Sequence, residues 1–206
     1  NEGALIGVAD RKRYPDDFST EGMGLLRVPH VASYRGLVFG CLDPQMSWTL
    51  DQYLGETKRY IDLWADRCPE GEFRLLRPHK YSYRGNWKFQ AENSNDGYHG
   101  GFTHESNRMT MEHFGATSPG RTKDKVSQGG IARGFDFGHG TFEGGGGRPG
   151  GMTDEVFEIY QTALARRHGN ERTKEIFGAR HMLLFPNVVL MTHNIRVIQP
   201  IAVDET

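Results

Sequence analysis

The stretch "AENSNDGYHGGFTHESN", residues 91–107, gathers Asp96, His99 and His104 around an adjacent glycine pair, Gly100 and Gly101. Neutral imidazoles bind divalent metals, and a carboxylate beside them either completes the shell or orients a ring through its second nitrogen. His99 and His104 stand five positions apart, which on a straight α-helix is about 500°, or roughly 140° around the axis. The two rings would then diverge, so a shared ion requires the helix to bend or end between them. Gly100 and Gly101 occupy that interval and resist such a distortion least. Asp96 lies three positions before His99 and Asn93 three before that, so both point roughly toward the same side of a helix. Asp96 is thus placed to accept a ring N–H, to orient an imidazole or to ligate. Zinc is the usual partner of a histidine pair, whereas two histidines, one carboxylate and open positions suit iron(II). A chain with nine histidines also produces such a pair by chance, so these residues alone leave all three readings open.

The elements that must position this stretch can be read from the flanking pattern. Residues 4–8 and "ASYRGLVFGCL" (32–42) favour strands. Thr49 and Gln52 form a capping box that opens a helical stretch through Leu50, Leu54, Ile61 and Trp64, interrupted at Gly55. "FRLLRPHKYSYRGNWKFQAEN" (73–93) begins strand-like and turns helical near Asn86. From Gly115 to Gly151 glycines crowd the chain and culminate in "FEGGGGRPGG", which predicts a mobile loop or lid. Thr153 caps a predicted helix running to His168, with Val156, Ile159, Tyr160, Ala163 and Leu164 on its buried side and Gly169 as its stop. A shorter helix follows over 171–177. "VVLMT" and "IRVIQPIAV", separated by His193 and Asn194, read as a hairpin. The expected architecture is α+β, with helices packed on one side of an antiparallel sheet.

Composition narrows the function classes. Lys and Arg number 25 against 26 Asp and Glu, a net charge of −1, so no electrostatic grip on nucleic acid or anionic lipid is expected. The longest apolar run, "MLLFPNVVLM", is broken by Pro186 and Asn187 and is too short to span a bilayer. Cys41 and Cys68 belong to no Cys-x-x-Cys or Cys-x-His pair, which fits a reducing, cytoplasmic setting and supplies no cluster site. The chain begins at Asn1 without methionine and stops in an alternating run, so it is expected to be a fragment of a longer protein.

Beyond these residue-level readings, "NWKFQAENSNDGYHGGFTH" resembles the iron-site helix of the large (alpha) subunit of Rieske non-haem iron aromatic-ring-hydroxylating dioxygenases. The match runs through Asn86, Trp87, Lys88, Glu92, Asn93, Asp96, Tyr98, His99 and His104. Its compact Asn-to-Asp spacing is most similar to the branch acting on benzoate-, anthranilate- and salicylate-type acids. "SYRGLVFGCLDP" resembles the strand closing the family's Rieske domain, "GFDFGHG" its mid-domain Gly-His segment, and "FPNVVLMTHNIRVIQPIAVDET" its late hairpin.

The resemblance implies a START-like helix-grip catalytic domain, partial and spanning 46–206, preceded over 1–45 by the last strands of a Rieske-type domain. It makes His99 and His104 ligands of a mononuclear non-haem Fe(II). Asp96 becomes the bridge for electrons from a neighbouring subunit, Asn93 a group close to the iron, and Tyr98 and Trp87 supporting residues. It implies an oxidoreductase inserting oxygen from O2 into an aromatic ring with NAD(P)H-derived electrons. Implied partners are a reductase, a ferredoxin, neighbouring alpha subunits in a trimer-based assembly, and a beta subunit. The family's Rieske [2Fe-2S] ligands, Cys-x-His and Cys-x-x-His, do not occur in this chain. The family's third iron ligand, an aspartate, comes from a helix beyond the late hairpin. Asp204 and Glu205 lie in the wrong segment to replace it. The expectation is a half-site, inactive alone. The competing readings are a zinc hydrolase using the same histidines and a non-catalytic START-like binding module.

Weaker signals remain. His139 reads as a turn cap before a pocket residue, and Arg133 as a solvated arginine before a partner of a substrate carboxylate. The tetraglycine lacks a following Gly-Lys-[Ser/Thr] and so reads as a lid, not a phosphate cradle. His181 and His193 read as strand-end residues, and Cys41 as a small core residue.

Overall fold

The computed structural model describes residues 2–114, 130–144, 152–192 and 194–206. The described residues divide into two compact units, Asn1–Leu50 and Asp51–Thr206.

In the first unit, β1 (His30–Tyr34) and β2 (Leu37–Cys41) form an antiparallel hairpin. The run that reads as one strand folds back at Arg35 and Gly36, whose φ angles of 50° and 83° are those of a two-residue turn matched to strand twist. Residues 4–8 form no strand, contrary to expectation: they are mostly exposed and find no ladder partner.

The second unit is built on a five-stranded antiparallel sheet in the order β3 (Ile131–Gly134), β4 (Gly140–Glu143), β5 (Arg180–Leu184), β6 (Val188–Leu190), β7 (Ile195–Val197). Helix α1 (Leu50–Leu54) passes through a 3-10 turn at Gly55–Thr57 into α2 (Lys58–Ala65). Gly55, at φ 46°, makes the expected interruption. Between β4 and β5 come α6 (Asp154–His168) and α7 (Asn170–Ile176), which follow α3 (Trp87–Asn93), α4 (His99–Phe102) and α5 (Glu105–His113).

The termini of α6 are as the sequence predicts. The Thr153 side chain accepts from the Val156 backbone N–H at 3.3 Å, acidic residues open the helix, and Arg166, Arg167 and His168 close it against its dipole. Its packing face differs from the predicted one. Leu164 is fully buried, but Val156 and Ile159 are exposed, and Phe157 joins Tyr160 against Phe177. Only a narrow stripe of the helix is covered, through Phe157, Tyr160, Ala163 and Leu164.

Alternation along the strands sets two packing faces. Met182 and Leu190, paired in register, line a space with Tyr60, Leu63 and Trp64 of α2. Leu183 and Val189, also paired, point the other way and form a core with Ala91, Ile198, Trp87 and Met191. The α+β architecture on an antiparallel sheet is therefore present, with α3 adding a layer on the second face, so the helices are not confined to one side.

Two further expectations need correction. Residues 73–83 make no strand ladder; only Arg84 forms an isolated bridge, to Glu205. The expected glycine-rich lid contains the β3–β4 hairpin, because Ile131–Gly134 and Gly140–Glu143 pair directly. The remainder of that segment, including the tetraglycine, lies outside the described residues, as does His193. Among the described residues no helix is long and apolar enough to cross a membrane.

Candidate metal centre

Helix α3 starts where Asn86 Oδ1 accepts from the Lys88 backbone N–H at 3.0 Å. Ala91 and Trp87 anchor it to the sheet. The helix stops at Asn93, with Ser94 buried and its hydroxyl donating to Gln90 O at 2.8 Å. Asp96 and His99 are thus not on one continuous helix, as the sequence suggests. Asp96 instead caps the next turn: its Oδ1 accepts from the His99 backbone N–H at 3.0 Å and meets His99 Nδ1 at 2.5 Å. An Asp three residues ahead serves a helix start as well as a helix face, and capping prevails here.

The break between the histidines also falls later than expected. Gly100 and Gly101 lie within α4, which His99 opens, and His104 sits beyond it with φ −93° and ψ 8°, heading α5. The two imidazoles nonetheless lie side by side: their centroids are 5.2 Å apart, with planes at 63°.

The electrostatics of the trio favour metal binding at one atom. Burial acts to raise the Asp96 carboxyl pKa, but the His99 backbone and ring N–H groups, the nearby imidazole charge and the Tyr98 backbone outweigh it and hold the group below its ordinary value. An ionised carboxylate only accepts, so Nδ1 of His99 is the nitrogen that bears a hydrogen, and in the neutral ring Nε2 is the one able to bind a metal. Asn93 Nδ2 lies 3.0 Å from that Nε2. Asp96 is 9% exposed at its side chain and His99 19%, whereas Asn93, Tyr98 and His104 are exposed.

Two imidazoles sharing an ion through bonds of about 2.1 Å have centroids roughly 4.5–5.3 Å apart at tetrahedral or octahedral angles. The observed separation fits, so His99 and His104 suit two positions of a metal shell. Among the described residues no group of three or more His, Cys, Asp or Glu side chains is arranged to hold an ion. Asp96 is directed at His99 Nδ1 and acts on the ring, not beside it as a third ligand.

Strand β4 positions the loop between α3 and α4, a role the sequence does not announce. Phe142 wedges between Gly97 and Gly130, and a β-carbon on either glycine would run into its ring. Gly140, on the same face, leaves room for Asn95, whose Oδ1 would lie 2.9 Å from a β-carbon there. The only sequence signal was glycine at 97, 130 and 140, without an indication of what approached them.

A separate polar cleft of about 990 Å³ lies on the opposite sheet face, lined in part by Tyr53, Arg59, Tyr60, Arg133 and Glu143. Burial would raise the Glu143 pKa, but Arg180 at 3.1 Å and Arg133 and Tyr60, each at 3.2 Å, together hold it low. Arg133 is therefore ion-paired to Glu143, neither free in solvent nor turned toward the histidines. His139 caps the turn Asp136–Gly138, as the sequence suggests, and is buried there. Its Nδ1 accepts from Phe185 N–H at 3.0 Å, and its Nε2 donates to Tyr53 O at 2.9 Å.

Residues 70–204 match the family model described as the ring hydroxylating alpha subunit (catalytic domain). The toluate 1,2-dioxygenase alpha subunit of Pseudomonas putida is 34% identical, covering all of this chain and 47% of the relative. The 2-halobenzoate 1,2-dioxygenase large subunit of Burkholderia cepacia is 35% identical, covering all of this chain and 46% of the relative. The chain thus spans about half the length of the curated relatives it matches. Among solved structures, naphthalene 1,2-dioxygenase from a Rhodococcus species with indole bound superimposes with TM-score 0.64 at 30% identity, covering 100% of this chain and 49% of the other. A naphthalene 1,2-dioxygenase variant bound to phenanthrene superimposes with TM-score 0.75 at 24% identity, covering 98% and 48%, a likeness of fold.

Proposed function

From the premise that this chain belongs to the ring-hydroxylating alpha-subunit family, through its catalytic domain, we propose that it carries the histidine half of an iron(II) site that hydroxylates an aromatic acid. The observation that carries this reading is the facing pair His99 and His104, with Asp96 fixing the His99 tautomer. When bound, iron(II) with two histidines and a carboxylate offers open positions at which dioxygen is activated beside the substrate. The chain's own residues prepare for it. Asp96 holds Nδ1 of His99 and so turns Nε2 outward. The wedge of Phe142 holds the loop bearing Asp96 against the sheet. Trp87 and Ala91 tie α3 to the core, so the donor atoms sit on rigid elements.

The remaining carboxylate is not among the described residues, and in the proposed complete enzyme it is supplied from outside them. Asp96 is the proposed contact through which a neighbouring subunit's Rieske cluster, served by a reductase and a ferredoxin, couples to His99. The substrate class follows from relatives named for toluate, 2-halobenzoate and anthranilate.

Metal analysis with oxygen-uptake assays on benzoate-type acids tests the reading in the assembled enzyme. Bound iron with uptake dependent on an aromatic acid is the expected result. Tight stoichiometric zinc with no oxygen uptake would instead favour a hydrolase. No metal in the assembled protein would favour a non-catalytic ligand-binding module.

A further inference from the structure

We infer that Asn93 is a placeholder on the metal-binding nitrogen of His99: its amide holds the Nε2 lone pair until an ion displaces it, and it thereby sets the site's affinity. The inference rests on the iron-site reading above and concerns how this chain's residues admit the ion.

The contacts around the ring match a neutral imidazole with its hydrogen on Nδ1. Asp96 Oδ1 contacts both the backbone nitrogen and Nδ1 of His99, at 3.0 and 2.5 Å. A carboxylate oxygen accepts at both, so Nδ1 bears the hydrogen and a neutral ring keeps Nε2 bare. The group facing Nε2 at 3.0 Å is the Asn93 amide nitrogen, which can only donate. The lone pair required for ligation is therefore already engaged, by a residue of the same chain.

The two contacts on the ring differ in how easily they yield. Asp96 is almost wholly covered and makes two hydrogen bonds to one residue. Asn93 is exposed, at the last residue of α3, and its side chain can swing into water, where its amide finds other partners. An incoming ion thus displaces Asn93 and leaves Asp96 in place. Before that, the amide keeps the ring turned so that Nε2 does not rotate away.

Isothermal titration of the full chain with Fe(II) alone, without oxygen, tests this. Loss of one competing hydrogen bond predicts that Asn93→Ala binds Fe(II) about 3- to 10-fold more tightly than the parent. His99→Ala should bind none. Unchanged or weaker binding by Asn93→Ala would overturn the inference while leaving the iron site intact, and weaker binding would make Asn93 a ligand. No binding by parent and Asn93→Ala alike would overturn this inference, because Asn93 then sets no affinity in this chain, while the iron-site reading stands or falls separately on metal analysis of the assembled enzyme. The metal-free chain supplies a second readout, nitrogen-15 correlation spectra of His99. A proton on Nδ1, and an Nε2 resonance that moves on Asn93→Ala, are expected. A proton on Nε2 in the parent would overturn the placeholder role. Asn93 is exposed at a helix end, so its replacement by alanine leaves the fold intact, which circular dichroism checks.

Discussion

Asp96 Oδ1 meets His99 twice, at the backbone and at the ring, so one side chain holds both the start of α4 and the orientation of the imidazole proposed to bind iron. Replacing it with asparagine keeps an acceptor and removes the charge. In the assembled enzyme Asp96→Asn should retain iron by metal analysis while turnover falls about 10- to 100-fold, and His99→Ala should lose the iron. Normal turnover by Asp96→Asn would end its role as the electron contact. His139 is a different kind of residue, a structural pin between α1, β4 and the turn before β6. Burial lowers its pKa below the ordinary 6.5, against the raising effect of the Tyr53 carbonyl. The folded state therefore refuses a proton that the unfolded chain accepts, and stability falls as the pH drops below about 6.5. Urea midpoints at about pH 7.5 and 5.5 should show this loss in the parent and a smaller one in His139→Gln. A parent midpoint unaffected by pH would refute the assignment.

At the scale of elements, the loop between α3 and α4 depends on a strand distant in sequence. Phe142 of β4 occupies the space that a side chain at Gly97 or Gly130 would need. Gly97→Ala should displace the loop carrying Asp96 and lower Fe(II) affinity with little loss of helix content. Titration beside circular dichroism reads the two effects separately, and unchanged affinity would exclude the wedge as a positioning device. Helix α6 offers a simpler test. Thr153 accepts from Val156 N–H, and Thr153→Ala should cost about 1 kcal/mol of stability in urea unfolding. The start of α3 near Asn86, the cap at Thr153 and the interruption at Gly55 were legible because they depend on residues a few positions apart. The buried face of α6 was not, since it depends on Phe177 approaching Phe157 and Tyr160.

Over the whole molecule, apolar burial is uneven. None of the described residues before Asp51 is buried, whereas the sheet of the second unit holds Met182, Leu183, Leu184, Val189 and Leu190 almost fully covered. A two-stranded hairpin without a core is marginal in water. Amide hydrogens of residues 30–41 should exchange far faster than those of 182–190 in this chain. Equal protection across both segments would show that the hairpin gains a stabilising partner. Within the core, Leu183→Ala removes a side chain shared by β5 and α3 and should cost about 2–5 kcal/mol, measured by denaturant midpoint.

The sequence by itself determined the identity of the candidate ligands, the helix caps, the late hairpin and the α+β class. Each follows from local spacing, from alternation, or from a motif contained within a score of residues. Only the tertiary structure decided how near the histidines lie, which nitrogen of His99 meets Asp96, and what holds the loop between α3 and α4. Those outcomes depend on Asp96 capping a turn in place of riding a helix, and on Phe142 reaching Gly97 and Gly130 from β4. The corrected readings share that cause. A strand pattern at 4–8 found no ladder partner, and a glycine-rich segment did: residues 131–134 pair with 140–143, because backbone hydrogen bonding, not composition, completes a sheet.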